Sequence, residues 1–386
     1  MGKNFITDSI VYAGVDDRKI DLFESQYVVP NGVSYNSYVI LDEKVAVMDT
    51  VDGRMLDEWF PRLEAALDSR TPDYLVVSHM EPDHAAGIAA MAERYPEMKI
   101  VGNLKTFTMI SQFFGIDLSD RAETVKEGST LSLGKHTLQF LMAPMVHWPE
   151  VMVAYEQSER VLFSADAFGK FGALDTDEDW TDEARRYYFN IVGKYGAQVQ
   201  SLLKKVAALD VDMILPLHGP VLKENLGYYV GKYDAWSRYE PEEKGVFIAV
   251  SSIYGNTMRA ARELASMLEC RGVAVRVCDL AREDMAEAVG NAFRYSALVV
   301  ASSSYDAGVF PHMEHFLLHL RDKSFRNRRV AVVENGSWAP SAGKHMLTML
   351  GAMKDLEICE KMVSIRSSHN EGNLCELNYL ADWLSE

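Results

Sequence analysis

At 386 residues the chain exceeds what one hydrophobic core ordinarily holds, which predicts two domains. Its 48% hydrophobic and 25% charged residues are the balance of a soluble globular protein, and no apolar run approaches the roughly 20 residues that span a bilayer. A formal net charge of -17 excludes a nucleic-acid surface, which needs clustered Lys and Arg.

The N-terminus, MGKNFITDSI, has no apolar signal-like core, and the expected location is the cytoplasm. Met1-Gly2 opens like a myristoylation signal, but Thr7 does not match its spacing. Apolar runs at 38–41 and 45–48 flank a polar turn and predict an antiparallel hairpin. Helical spacing follows at 54–69, and a strand at 74–77 runs into His79-Met80-Glu81-Pro82-Asp83-His84. Helices at 85–95 and 104–114, strands at 138–142, 151–155 and 161–164, a helix over 181–209 and a strand at 213–215 complete the half. Hairpin strands with helices over about 240 residues point to two sheets with outer helices.

Residues 237–245 (SRYEPEEKG) are charged, carry Pro241 and read as a linker, which separates a domain of residues 1–240 from one of 246–386. Strands then alternate with helices, at 246–250, 273–277, 297–301, 329–333 and 361–365, with a helix over 256–269 after the first. That alternation is the signature of a doubly wound parallel sheet, so the chain as a whole is α/β. Cys270, Cys278, Cys359 and Cys375 form no C-x-x-C pair and read as buried reduced thiols. Electrons for any redox chemistry must therefore come from a separate donor.

Four metal-capable side chains within six residues, His79, Glu81, Asp83 and His84, with a proline stiffening the turn, form a ligand loop at a strand end. His147, Asp166 and His218 stand at later strand ends, where each alone is equally a hydrogen-bonded His or a turn Asp. Taken in this order, the set implies ligands converging on one rim. Three carboxylates with three imidazoles make a hard, negative site that favours iron or manganese over zinc. A carboxylate such as Asp166 can bridge two metals about 3.5–4 Å apart.

The loop resembles the H-x-H-x-D-H motif of the metallo-β-lactamase fold, with Glu81 where its zinc hydrolases carry the second histidine. H-x-E-x-D, the later H-W-P, S-x-D and final H-G-P, together with the segment Asn31 to Ile40 (NGVSYNSYVI), resemble the flavodiiron proteins. The resemblance implies a metallo-β-lactamase-like αββα sandwich followed by a flavodoxin-like sheet. It places His79, Glu81 and His147 on one iron, Asp83 and His218 on the other, and Asp166 between them. It leaves His84 open, as a ligand or as a residue turned aside in favour of water. Trp148 either packs over the metal pocket or fills core. The family's Tyr-x-x-Asn-Ile is often followed by Pro-Phe; here the stretch beginning at Tyr187 continues after Ile191 as Val192-Gly193-Lys194-Tyr195. Tyr195 is therefore expected to bring a phenol to the diatomic pocket, and unchanged turnover in Tyr195→Phe would count against that role.

In the second half, Ser251-Ser252-Ile253-Tyr254-Gly255-Asn256-Thr257 joins the first strand to the first helix. Such a turn holds phosphate on backbone N–H groups and a helix N-terminus, without Lys or Arg. It lacks the G-K-[ST] of ATP loops and the G-x-G-x-x-G of dinucleotide loops. It resembles the flavodoxin phosphate loop, which implies sheet order 2-1-3-4-5 and FMN at the strand C-terminal ends. Ser303, Ser304, Tyr305, Asp306 and Asn335, Gly336, Ser337, Trp338 would then border the ring, with Trp338 packing on it. His312, His315 and His319 share a helical face, but His312 sits at the helix start and no acidic partner is evident, so they do not read as ligands. His136 and His345, beside lysines, read as solvated.

The resemblance covers nearly the whole chain and implies reduction of O2 to water or NO to N2O, with electrons passing through FMN from a rubredoxin-like protein or a reduced flavin or deazaflavin donor. It further implies a head-to-tail homodimer, or a dimer of dimers, that faces one subunit's FMN to its neighbour's irons. A dinuclear hydrolase fused to a flavodoxin-like module is the competing reading, which Glu81 weighs against. A non-catalytic electron carrier is the third, opposed by six intact ligand positions.

Overall fold

The computed structural model describes residues 4–386, so Met1-Gly2 lies outside it. Short apolar strands build two facing sheets in the first half. One runs in the order Asn4–Phe5, Ile10–Tyr12, Tyr38–Ile40, Ala46–Met48, Tyr74–Val76, Lys99–Gly102, Ala122–Thr124. The hairpin pairs Tyr38 with Met48 and Ile40 with Ala46, and the strands after it run parallel. The other sheet is Thr130–Ser132, Thr137–Met142, Met152–Glu156, Val161–Phe163, Met213–Leu215. Ile40, Met48 and Val76 from the first sheet meet Phe140, Ala154 and Phe163 from the second in one buried cluster. Each fully buried aliphatic or aromatic side chain there contributes about 1.5–3 kcal/mol relative to exposure. Helices Leu56–Leu67, Ile88–Arg94 and Leu104–Phe114 each bury only part of their residues. This is the αββα architecture.

The second half is a parallel sheet in the order Ala274–Asp279, Glu243–Ser251, Tyr295–Tyr305, Arg328–Asn335, Leu356–Ile358, with Val363–Ile365 also pairing Arg328–Asn335. That order is 2-1-3-4-5. Its fifth position is divided between two short strands, so the strand expected at 361–365 covers only part of it. Val246, Ile248 and Val250 pack with Leu264 and Leu268 of helix Asn256–Glu269 and with Leu380 of helix Glu371–Ser385.

Two compact units result: the residues up to Tyr188 with Ala197–Asp234, and Phe189–Gly196 with Ala235–Glu386. Helix Leu226–Ser237 and strand Glu243–Ser251 leave only residues 238–242 of the expected linker as connection. That helix carries no clear apolar stripe, so periodicity does not reveal it. The single helix expected over 181–209 is broken instead: Trp180–Tyr187, a π-helical turn Tyr188–Val192, a 3-10 turn Gly193–Tyr195, then Gly196–Val206. Glycine is required at 196, because a Cβ there would stand 2.3 Å from the Ser237 carbonyl oxygen.

Two expectations about single residues change. Cys278 and Cys359 are buried, but Cys270 and Cys375 are exposed, and all four are free thiols. His136 is buried, not solvated. Its Nδ1–H donates to Asp42 Oδ2 at 2.8 Å, and its Nε2 lies 3.1 Å from Glu159 Oε1 and 3.0 Å from Ser9 Oγ. The Lys135 side chain does not decide its environment; the facing turns do. Among the described residues no helix is long and apolar enough to cross a membrane.

Candidate functional site

The ligand loop is built by backbone pairing before any side chain is considered. Asp49 ends the strand Ala46–Met48 in a left-handed conformation at φ 54°. Its Oδ1 accepts from Ser78 N at 2.7 Å and His79 N at 3.3 Å, which sets the exit of the strand Tyr74–Val76. Burial pushes the Asp49 carboxyl up to about 6 although these donors pull it down. Pro82 then opens the one-turn helix Pro82–Ala85, where its missing N–H costs nothing. The later loops are tied to one another: Leu217 N donates to the Ala165 carbonyl at 2.9 Å, and Ser164 Oγ to the Ala167 carbonyl at 2.7 Å. Gly169 leaves room between them, since a Cβ would meet Asp166 O at 3.0 Å and His218 Cβ at 3.4 Å.

Seven side chains gather in two groups, His79, Glu81, His147 and Asp166 in one and Asp83, His84 and His218 in the other. In the first, Glu81 Oε2 lies 3.3 Å from His79 Nε2 and 3.0 Å from His147 Nε2. In the second, Asp83 Oδ2 lies 3.3 Å from both His84 Nε2 and His218 Nε2. Asp166 spans the two. Its Oδ2 is 3.0 Å from His147 Nε2 and 3.2 Å from His79 Nε2, while its Oδ1 is 3.2 Å from His84 Nε2 and 4.0 Å from His218 Nε2. One carboxylate thus offers one oxygen to each group. His84, left open by the motif, stands inside the second group with its Nε2 3.1 Å from that of His218.

This cluster attracts positive charge. Burial by itself would strip the proton from His79, yet Asp166, Glu150 and Glu81 hold it well above the ordinary histidine range. Burial is likewise overruled at His147, which Asp166 and Glu81 push up to about 9. Burial raises Asp166, but His79, His147 and His84 hold its carboxyl well below the usual range. Both Asp83 carboxylate oxygens and Asp166 Oδ1 are buried without a hydrogen-bond partner. Buried acceptors left so are costly unless a cation satisfies them. Carboxylate and imidazole donors in two adjoining groups suit two hard or borderline divalent ions such as iron.

The surrounding residues fix the imidazoles. Glu150, fully buried, accepts from His79 Nδ1–H at 2.8 Å and from Met80 N at 2.8 Å on the same Oε1, so Nε2 of His79 faces the cluster. The Ser34 carbonyl accepts from His218 Nδ1–H at 2.7 Å with the same consequence. Sequence reasoning missed Glu150, although it follows His147-Trp148-Pro149 directly. Glu150→Ala is expected to weaken iron binding about 10–100-fold, read by chelator competition, while Glu150→Gln keeps the accepting oxygen and recovers most of it.

Trp148 stands edge-on to His79 at 5.3 Å between centroids and stacks on Phe113 at 6.4 Å, so it packs over the cluster. Within the first unit the phenol beside the cluster is that of Tyr187. Tyr187 is buried 5.5 Å from the His218 ring with its hydroxyl unpaired, and burial together with Asp166, Glu81 and Asp83 raises it well above the ordinary tyrosine range. Tyr195 is half-buried in Phe189–Gly196, which belongs to the second unit. A π-helical turn follows Tyr187 and separates it from the 3-10 turn that ends at Tyr195.

In the second unit, a pocket of about 190 Å3 is lined by Ser252, Ile253, Tyr254, Asn256, Thr257, Ser303, Ser304, Asn335, Gly336, Ser337 and Trp338. Of the residues expected here, Ser251 is buried in the strand, Gly255 lies outside the lining, and so do Tyr305, exposed at the end of its strand, and Asp306, exposed in the turn after it. Ser367, after the fifth strand, lines the pocket and was not anticipated; its carbonyl accepts from Asn335 Nδ2 at 2.9 Å. Gly255 takes φ 86° at the start of helix Asn256–Glu269, where its N–H donates to Ser252 Oγ at 3.1 Å. Tyr254 and Trp338 are 92% and 88% exposed. Large aromatic faces left bare beside a hydroxyl-rich helix N-terminus suit a flat ring carrying a phosphate.

Residues 33–219 match the family model described as ODP family beta lactamase, and residues 248–358 match that of flavodoxin. The chain is 30% identical over 348 residues to the anaerobic nitric oxide reductase flavorubredoxin of Vibrio vulnificus, covering 86% of this chain and 70% of that protein. Among solved structures, the flavodiiron protein from Giardia intestinalis superposes with a TM-score of 0.94 at 23% identity, over 100% of this chain and 96% of that one. Rubredoxin oxygen:oxidoreductase from Desulfovibrio gigas gives 0.93 at 25% identity, over 99% and 98%.

Proposed function

This chain belongs to the flavodiiron protein family, and on that premise we propose that it reduces dioxygen to water or nitric oxide to nitrous oxide. The observation that carries the reading is Asp166, whose two oxygens address two separate ligand groups. When bound, FMN takes up electrons in pairs and releases them singly, and two irons supply the redox chemistry on the diatomic. His79, Glu81 and His147 would hold one iron, Asp83 and His218 the other with His84 beside them, and Asp166 would bridge.

The remaining work falls to this chain's own side chains. Trp148 and Phe113 cover one side of the cluster, while Tyr35 and Phe23 stand 5.9 Å and 5.5 Å from His218. These rings restrict water at the centre, which strengthens every electrostatic interaction there. Tyr187 keeps its proton and has no protein acceptor, so it is placed to donate to a bound diatomic. Tyr187→Phe is expected to lower turnover about 100-fold with iron and FMN content unchanged. Equal turnover in the two proteins would remove the phenol from the mechanism. In the second unit Trp338 and Tyr254 would flank the flavin ring and the Ser252–Thr257 turn would hold its phosphate.

A rubredoxin-like protein or a small reduced flavin or deazaflavin supplies the electrons in this reading, which the rubredoxin-linked names of the similar proteins support. A head-to-tail dimer, or a dimer of dimers, in the cytoplasm completes the proposal. Full activity from a monomer at high dilution would contradict the dimer. The decisive experiment reduces the purified protein anaerobically and compares O2 and NO consumption while iron and FMN are measured per chain. Zinc in place of iron, with hydrolysis and no gas uptake, would instead establish a metallo-hydrolase.

A further inference from the structure

On helix Pro311–Asp322 of the second unit, His315 and His319 are one turn apart, and their Nε2 atoms face each other at 2.9 Å. Side chains four residues apart share a helix face. Their ring centroids are 4.4 Å apart with planes inclined at 53°. His315 is exposed and His319 half-buried, so the point between them is reachable from solvent.

We propose that His315 and His319 chelate a divalent transition-metal ion, at a site separate from the carboxylate-rich cluster. The distance selects the class of ion. Metal–imidazole bonds of about 2.0–2.1 Å meeting at a right angle place their nitrogens roughly 2.9 Å apart, whereas a tetrahedral angle opens them to about 3.3–3.4 Å. The 2.9 Å between the nitrogens, spanned here by an imidazole–imidazole hydrogen bond that an ion would replace, is also the separation of two adjacent positions of a square-planar or octahedral ion, the preference of Cu2+ and Ni2+. Waters complete the coordination.

The surroundings keep the nitrogens available. Burial, with His315 and Lys323 beside it and only Asp322 opposing, pushes His319 down to about 4, so its ring is neutral at neutral pH. Lys323 directs its ammonium to the Asn190 carbonyl at 2.6 Å. The helix start is tied to the flavin pocket: Phe310 N donates to the carbonyl of Ser303, which lines that pocket. An ion across the second and third turns would therefore stiffen the helix that follows the flavin loop.

The test titrates Ni2+, which is not reduced by the flavin, into protein already loaded with iron and FMN. Calorimetry should find one Ni2+ per chain with no iron released. His315→Asn and His319→Asn should each weaken binding about 100-fold, because a chelate loses its second arm, while exposed His345→Asn binds as the wild type does. Amide exchange over residues 311–322 should slow with Ni2+ in the wild type and not in the two variants. Ni2+ binding that survives either substitution, displaces iron or is absent altogether overturns the site. Zn2+ binding more tightly than Ni2+ overturns the assigned geometry.

Discussion

Asp166→Asn is expected to disturb both metal positions at once, leaving less than one iron per chain and reducing O2 and NO consumption at least about 1000-fold, roughly 4 kcal/mol of transition-state stabilisation. The size follows from the position of the carboxylate. Its oxygens approach His147 and His79 on one side and His84 on the other, so neutralising it removes charge from both groups. An amide can offer one oxygen, while its NH2 would point at imidazole nitrogens or a cation on the opposite side. Substituting Glu81 or Asp83 should damage mainly one group each. FMN per chain should not change in Asp166→Asn, because the pocket that would hold it belongs to the second unit. Retention of both irons with less than a tenfold loss of activity would refute the bridging role.

The second large effect concerns stability. His136 is held among Asp42, Glu159 and Glu156, in a network that links turns of both sheets. His136→Asn should cost about 3 kcal/mol, because it leaves mostly buried carboxylates without their cation. The pH dependence has a definite sign. Burial alone would lower the histidine, but Glu159, Asp42 and Glu156 raise it above its ordinary value. A histidine raised in the folded state stabilises fully below its unfolded pKa of about 6.5 and loses that contribution as pH rises through the folded value. Urea unfolding of the wild type should therefore weaken as pH climbs through that window, and His136→Asn should be flatter over the same range. Identical pH profiles would show that His136 does not titrate between the two states.

Legibility in the sequence depended on how local each feature is. His79, Glu81, Asp83 and His84 lie within six residues, and the Ser251–Thr257 turn within seven, so spacing and side-chain chemistry exposed them directly. His147, Asp166 and His218 were found because each follows an apolar strand, and parallel or mixed sheets bring such ends to one rim. Glu150 and Tyr187 were not found. A lone Glu after Trp-Pro and one of two adjacent tyrosines look the same in sequence whether they face solvent, core or metal. The π-helical turn at Tyr188–Val192 breaks the single helix expected there, and nothing in the apolar spacing marks it. His136 misled for a similar reason, since its neighbour Lys135 suggested water while its partners arrive from turns 94 and 23 residues away.

Composition, strand–helix alternation and the two loop motifs by themselves determined the α/β class and the pairing of a carboxylate-rich metal loop with a phosphate turn, because those properties are carried by neighbouring residues. Only the tertiary structure decided that Asp166 divides its oxygens between two groups, that His84 joins one of them, that Tyr187 is buried beside His218 and that the Nε2 atoms of His315 and His319 meet. Each is a distance of a few ångströms between side chains whose geometry the folded backbone sets.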